Sequence, residues 1–383
     1  MTHVFIVNKK TFKVHLEYMF AGTGAAKDAP FLLDATYRNP QKKELGVTAS
    51  AERNLVAMIA DVSRIRVGDK ILFYLQSSST NPGMFFGVFE AASCAFYQPN
   101  DDNYLTEELG KSLNFRVLIK AFKVYPKGIS EHEALDNLTA IQRPYDMCWS
   151  LIYRKLKGNR GCTMITDKEA ERLFFLLSLK NDDQYIVSNA YTYANGVIEV
   201  SDSSVFYQGK KNSLDLLPRL LYKLGKNSKC ESHLQAFIVQ NIDRGILSRL
   251  ILEDIDNLWI GNEVSCGVGM QRIDVSTMQY DDNYVYINII ELKCVEAYNE
   301  IVDSQIPWYI TWIREYIVPT FNKKVIITPV IISKPFENTQ DLTTFEKYCS
   351  KLYLYDNQCF KLNPVKLITY TTAQQSIGFK KEF

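Results

Sequence analysis

YVYINIIELK, residues Tyr284–Lys293, is the stretch on which the reading of this chain turns. It is rich in β-branched and aromatic side chains, and it follows Asp281-Asp282-Asn283, a turn-forming triplet. That combination predicts a long apolar strand entered from a tight turn. Side chains alternate across a strand, so Glu291 and Lys293, two apart, project from one face. The preceding stretch, GMQRIDVSTMQ (Gly269–Gln279), reads as the other strand of a hairpin and carries Asp274. Two carboxylates on adjacent strands repel, and one protonates unless a cation sits between them. A hard divalent ion resolves the conflict, and Mg²⁺ keeps waters beside one or two carboxylates. A lysine at such a site can act on a water or steady charge on a phosphate. Attack on a phosphodiester needs these parts. Glu291-Leu292-Lys293 is the only Asp/Glu-x-Lys triplet in the chain, so no rival site competes. The plain alternative is an edge strand that ends in a surface Glu/Lys pair.

The neighbours extend the pattern. ESHLQAFIVQNI (Glu231–Ile242) reads as an amphipathic helix with His233 on its surface. A helix is expected around Gln305–Tyr316, with Gln305 and Tyr309 on one face at i, i+4 and Pro307 tolerated in its first turn. KKVIITPVIIS (Lys323–Ser333) reads as a further strand. The ordered set Glu231, Asp274, Glu291-x-Lys293 and Gln305-x-x-x-Tyr309 resembles the PD-(D/E)XK nuclease superfamily, over roughly residues 226 to 335. It looks most like the branch with a Q-x-x-x-Y helix, which includes RecB-type nucleases and the mismatch-cutting endonucleases related to NucS. The resemblance implies a restriction-endonuclease-like mixed sheet flanked by helices. It implies that Asp274, Glu291 and the main-chain carbonyl of Leu292 bind Mg²⁺, with Mn²⁺ able to substitute. It implies that Lys293 positions the nucleophilic water and Glu231 supports the metal or its water. Gln305 and Tyr309 would orient the active site and a DNA phosphate.

Length and composition bound the rest. At about 150 residues per domain, 383 residues make two domains or three. Lys plus Arg is 44 against 43 Asp plus Glu, so a chain-wide polycationic wrapper for nucleic acid is excluded, and any such contact needs local patches. The eight cysteines include no C-x-x-C pair and there are four histidines, which leaves little for a zinc site and reads as reduced thiols in a cytoplasmic protein. No apolar run is long enough for a signal peptide or a membrane span. GKKNSLDLLPRLLYKLGKNSK (Gly209–Lys229) is basic, with Gly-, Asn- and Ser-rich ends. It is read as a linker over 209–229, between a domain at 1–208 and one at 230–383.

The front part reads as strands with helical interludes: HVFIVN, KILFYLQ, MFFGVFEAAS and FRVLIKAFKVYP, with a helix over Ala51–Ile65. Loops of uneven length between such strands suggest a small, partly closed barrel. The set resembles the EVE and YTH group of PUA-like domains through Gly68-Asp69-Lys70 leading into Phe73-Tyr74, and through Phe86-Gly87-Val88. That resemblance implies nucleic-acid binding and an aromatic pocket for a flipped, modified base. The first strand lacks the tryptophan common in EVE domains, and Tyr18, Phe20, Tyr37 and Trp149 are the pocket candidates, Tyr37 and Trp149 foremost. A basic run, YRKLKGNRG, sets Arg154, Lys155, Lys157 and Arg160 within seven residues. Such a loop suits phosphate contacts, which supply affinity without sequence information.

Together these readings describe an α/β chain with an N-terminal PUA/EVE-like β-barrel and a C-terminal nuclease domain. The expected function is a Mg²⁺-dependent endonuclease on double-stranded DNA, of restriction type and with modification dependence open. Cutting both strands with one site per chain suggests a homodimer. The alternatives are a mismatch or repair endonuclease, and a non-catalytic modified-base reader.

Overall fold

The computed structural model describes residues 1–24, 49–79, 81–99, 103–136, 141–151, 161–202, 205–226, 229–267, 271–352 and 354–383. The described residues form two compact units, one ending at Leu214 and one beginning at Asp215.

The first unit contains strands β1 (Thr2–Val7), β2 (Phe20–Thr23), β3 (Lys70–Leu75), β4 (Met84–Ala91), β5 (Phe96–Tyr97), β6 (Phe115–Ala121), β7 (Ile129–Ser130), β8 (Cys162–Ile165), β9 (Tyr191–Ala194) and β10 (Val197–Val200). Its helices are α1 (Lys9–Glu17), α2 (Ala49–Ser63), α3 (Thr106–Leu109), α4 (Glu131–Leu135) and α5 (Asp167–Lys180). The main sheet runs β2-β6-β4-β3-β1-β8, with β5 beside β6 and β7 beside β4. β1 and β3 are parallel and the other neighbours antiparallel. The sheet curls into a half-barrel, so the partly closed barrel expected from the strand-rich sequence is present. Aromatic rings fill its hollow: Phe12 lies 5.4 Å from Phe73 and 5.2 Å from Phe86, and Phe73 lies 5.6 Å from Phe89. Helix α1 starts on a capping box, in which Asn8 accepts from the Thr11 amide and Thr11 accepts from the Asn8 amide. Asn195-Gly196 turns β9 into β10 with φ of 53° and 85°, the conformation a two-residue hairpin loop requires.

The second unit contains α6 (Leu217–Gly225), α7 (Glu231–Asn241), α8 (Gly245–Ile251), α9 (Ile306–Trp312) and α10 (Thr339–Cys349). Its strands are β11 (Trp259–Ser265), β12 (Arg272–Tyr280), β13 (Tyr284–Leu292), β14 (Lys324–Ser333), β15 (Phe360–Leu362), β16 (Lys366–Thr372) and β17 (Ile377–Lys381). The sheet order is β11-β12-β13-β14-β16-β17, with β15 also on β14. It is a mixed sheet: β13, β14 and β16 are parallel at its centre, and antiparallel pairs close both ends. Pro329 sits in the central strand β14, where a missing N–H is normally costly. It is tolerated because β15 pairs only up to Ile327 and β16 only from Val330, so Pro329 faces the gap between them. Leu220, Leu234, Ile238 and Ile251 from the helices pack on Val275, Ile290, Val330 and Ile368 of the sheet.

Three expectations change. The segment read as a basic linker contains helix α6, whose Leu220 and Leu224 are buried in that core. Helix α7 is not amphipathic, because seven consecutive residues from His233 to Val239 are buried, and His233 is an interior residue rather than a surface one. The cysteines are not all thiols: Cys230 and Cys294 form a disulfide with Cα atoms 6.3 Å apart. The two are 64 residues apart in sequence, and only the fold, bringing the start of α7 to the end of β13, makes them neighbours. Among the described residues no helix is long and apolar enough to cross a membrane.

Candidate functional site

The site is built on the β12–β13 hairpin. Asp281 Oδ1 accepts the amides of Asn283 and Tyr284, each at 2.8 Å, and so closes the turn that the Asp-Asp-Asn triplet predicts. Pairing from Tyr280↔Val285 to Val275↔Ile290 then runs the strands back in register. Asp274 stands where β12 parts from β13. There its Oδ2 accepts the Leu292 amide at 2.9 Å, in place of a strand carbonyl. The carboxylate of Glu291 is consequently close enough to Asp274 to repel it.

Glu291 and Lys293 emerge on one face and form an ion pair of 2.7 Å, both buried. Lys293 extends the ladder past the strand end, donating its amide to Ile332 O at 2.9 Å. A surface Glu/Lys pair would be solvated and worth little, whereas this one is withdrawn from water. Burial, then the Glu291 charge, holds the Asp274 carboxyl well above the usual range. Burial also pushes Glu291 up, with Lys293 pulling against it. Burial opposes the Lys293 charge, but Glu291 outweighs burial and keeps the ammonium protonated beyond its ordinary value.

Tyr309 arrives from α9. Its hydroxyl lies 2.9 Å from Arg272 O and 3.3 Å from Glu291 Oε2, and it has one proton to give to either. Burial and the Glu291 charge raise its pKa, so it serves as a neutral donor. Gln305 does not share this role. It ends a π-helical turn, Ile301–Gln305, ahead of α9. Its side chain hydrogen-bonds none of Asp274, Glu291 or Lys293 among the described residues, and its buried Oε1 has no partner. Pro307 lies in the first turn of α9, as expected, but that helix begins one residue after Gln305. Glu231 opens α7 and adds a smaller repulsion to both carboxylates without a hydrogen bond to either.

Two supporting residues were not singled out from sequence. Buried Gln235 donates Nε2 to the Asp274 carbonyl at 2.8 Å. It lies one turn after Glu231 in E-S-H-L-Q, and that i, i+4 spacing was the available signal. Tyr370 of β16 donates to the Lys293 carbonyl at 3.3 Å, and nothing in the local sequence marks it.

The donor set suits a hard cation. Asp274 is raised by desolvation and by the Glu291 charge, and buried Glu291 is raised by desolvation, a charge conflict that one divalent ion would relieve. A carboxylate offers about four lone-pair sites, so the bonds already made leave both able to ligate. Among the described residues no group of three His, Cys, Asp or Glu is arranged to hold a metal. Were an ion bound, Asp274, Glu291 and the Leu292 carbonyl would be the protein's share, with waters completing the shell as Mg²⁺ prefers.

Of the residues expected in the first unit, Arg154, Lys155, Lys157, Arg160 and Tyr37 lie outside the described residues, as does the side chain of Trp149.

No protein-family model and no curated protein matches the chain. Among solved structures, it is similar to a hypothetical protein from Leishmania major, at 14% identity and TM-score 0.30, covering 47% of this chain and 95% of that one. It is similar to a Pseudomonas syringae protein at 12% and 0.27, covering 46% and 99%. Human THYN1, solved in complex with 5-methylcytosine-containing DNA, is similar at 11% and 0.25, covering 47% and 96%.

Proposed function

We propose that this chain is a Mg²⁺-dependent endonuclease that hydrolyses phosphodiester bonds of double-stranded DNA. The single observation that carries the reading is the buried Glu291–Lys293 pair with Asp274 beside it on one hairpin, and the Tyr309 hydroxyl reaching Glu291. Asp274, Glu291 and the Leu292 carbonyl would hold the ion. When bound, it would supply positive charge to the phosphate and lower the pKa of a water. Lys293, held as an ammonium by Glu291, would orient that water or steady charge on the phosphate. Tyr309, kept neutral, fixes the rotamer of Glu291.

In this reading the N-terminal half-barrel recognises the DNA and the second unit cuts it, as in a restriction enzyme. Its support is the resemblance of the front strands to the EVE and YTH group. Cleavage of both strands by one site per chain calls for two copies, so a homodimer is part of the proposal.

The test is incubation of the full chain with unmodified, 5-methylcytosine, hydroxymethylcytosine and N6-methyladenine duplexes, with Mg²⁺, Mn²⁺ or EDTA, read as fragments on a gel. Metal-dependent cutting that Asp274→Ala and Glu291→Ala abolish supports the proposal. Undiminished cutting by either variant would sink it. Tight binding of one modified duplex without any cutting would favour a non-catalytic reader.

A further inference from the structure

The first unit holds a pocket of about 170 Å³ between α1, the end of β2 and the segment before β6. His15 of α1 lines it. The ring is fully buried, stacked on Phe73 at 5.6 Å and set edge-on to Phe20 at 4.8 Å. Neither of its nitrogens has a hydrogen-bond partner. A buried imidazole without partners forgoes the bonds it would make in water, and native interiors rarely leave such a group unmatched. Thr23 lines the same space, as does Thr11, whose hydroxyl is already engaged with Asn8, and Gly24 and Gly161 leave part of the wall as bare backbone. At Gly24, φ is 151° and a Cβ would meet the Asn114 amide nitrogen at 2.7 Å, so the wall admits no side chain there.

Lys111 completes the lining. It has no acidic partner among the described residues, and partial burial alone pulls its pKa down. The charges acting on His15 are Arg116 and Lys111, both positive, and with burial they hold the imidazole neutral, at about 3. A neutral ring keeps one N–H to donate. The pocket therefore combines a positive field, an ammonium without an acidic partner among the described residues, an unused imidazole donor and the Thr23 hydroxyl.

We propose that this pocket is a binding site for a phosphate monoester, with Lys111 pairing its charge and His15 and Thr23 hydrogen-bonding its oxygens. The donors come from separate elements, as a tetrahedral oxyanion needs, and charge-assisted bonds from Lys111 supply the larger share of affinity. The volume exceeds one phosphoryl group, so part of the ester is held too. Two sources share this chemistry: a free nucleoside monophosphate and the 5′-phosphorylated end of a nucleic acid strand. The inference stands whether or not the second unit cleaves DNA.

Calorimetry on the full chain in EDTA, where no cleavage intervenes, tests it with inorganic phosphate, deoxycytidine 5′-monophosphate, deoxycytidine, and short oligonucleotides with and without a 5′-phosphate. Lys111→Met and His15→Phe are the variants. The first removes a partly exposed charge, and the second keeps a ring against Phe73. The expected result is binding of the monophosphate and not of the nucleoside, weakened about tenfold to a hundredfold in Lys111→Met and less in His15→Phe. Preference for the phosphorylated oligonucleotide over the free monophosphate assigns the strand end as the source, and the reverse assigns the nucleotide. Absence of binding by every phosphate compound overturns the proposal. So does monophosphate binding that Lys111→Met leaves unchanged.

Discussion

Asp274 Oδ2 takes the backbone N–H of Leu292 at 2.9 Å, so an acidic side chain stands where a strand carbonyl would otherwise accept. One bond both ends the β12–β13 ladder and sets a carboxylate beside Glu291. The cost is electrostatic, because burial and the Glu291 charge both disfavour the ionised Asp274. A protein that only needed a sheet would close this ladder with a neutral acceptor.

That relationship separates two variants at one position. Asp274→Asn keeps an oxygen for the Leu292 amide and removes the disfavoured charge, so its urea midpoint should equal or exceed that of the wild type. Asp274→Ala leaves the amide unsatisfied and should lose about 1–3 kcal/mol. Both should lose cleavage. Midpoints from urea titration, read beside a gel assay, check this, and a strongly destabilised Asp274→Asn would contradict it.

Lys293→Met should retain metal affinity and lose most turnover, because the ammonium is not a ligand. Mg²⁺ or Mn²⁺ titration by calorimetry, set against cleavage rate at saturating metal, distinguishes the roles. A large loss of affinity with an unchanged rate would make the lysine a structural counter-ion instead.

Tyr309→Phe removes one hydroxyl that touches both Arg272 O and Glu291 Oε2. The expected stability loss is about 0.5–1.5 kcal/mol. Cleavage should fall because Glu291 loses a fixed partner, and raising the metal concentration should restore part of it. No change in the metal dependence of rate would remove Tyr309 from the site.

Stability should fall as pH drops below neutrality. His15 titrates at about 3 when folded and near 6.5 when unfolded, so between those values the unfolded chain binds the extra proton. Protons taken up on unfolding make stability rise with pH. From pH 7.5 to pH 5 this one group should remove about 2 kcal/mol. His3 is also held below its ordinary value, by burial against the pull of Asp69, and acts in the same direction. Thermal melts at pH 7.5 and 5.0 should show the drop, and it should be smaller in His15→Phe. An equal drop in that variant would clear His15.

The Cys230–Cys294 bond closes a loop spanning 64 residues. Chain-entropy reasoning assigns such a crosslink about 4 kcal/mol, with strain and residual unfolded structure reducing it. Reduction, or Cys230→Ser with Cys294→Ser, should lower the melting temperature, and non-reducing peptide mapping should find the two cysteines joined. Two free thiols in the oxidised protein would refute the pairing.

The carboxylates and the lysine were legible because strand alternation is a local rule. A run such as YVYINIIELK with a turn before it dictates which residues share a face, whatever surrounds it. The orientation of Gln305 was not legible. It caps α9 in helical geometry, one turn before Tyr309, yet its side chain hydrogen-bonds none of the three site residues among the described residues, and no local spacing rule says which way a capping side chain is drawn. His233 was misplaced because amphipathicity in a sequence says nothing about a helix covered on every side.

From the sequence alone came the two-part α/β organisation, the Asp-Asp-Asn turn, the strand pair and the Glu291-x-Lys293 face, all set by propensity and periodicity between near neighbours. Only the tertiary structure decided that Glu291 and Lys293 are buried rather than solvated, that Gln235 and Tyr370 brace the site, that Cys230 meets Cys294, and that His15 and Lys111 share one pocket. Those depend on contacts between residues tens of positions apart. Such contacts follow from how helices and sheet bury their apolar faces together, and no local pattern carries that information.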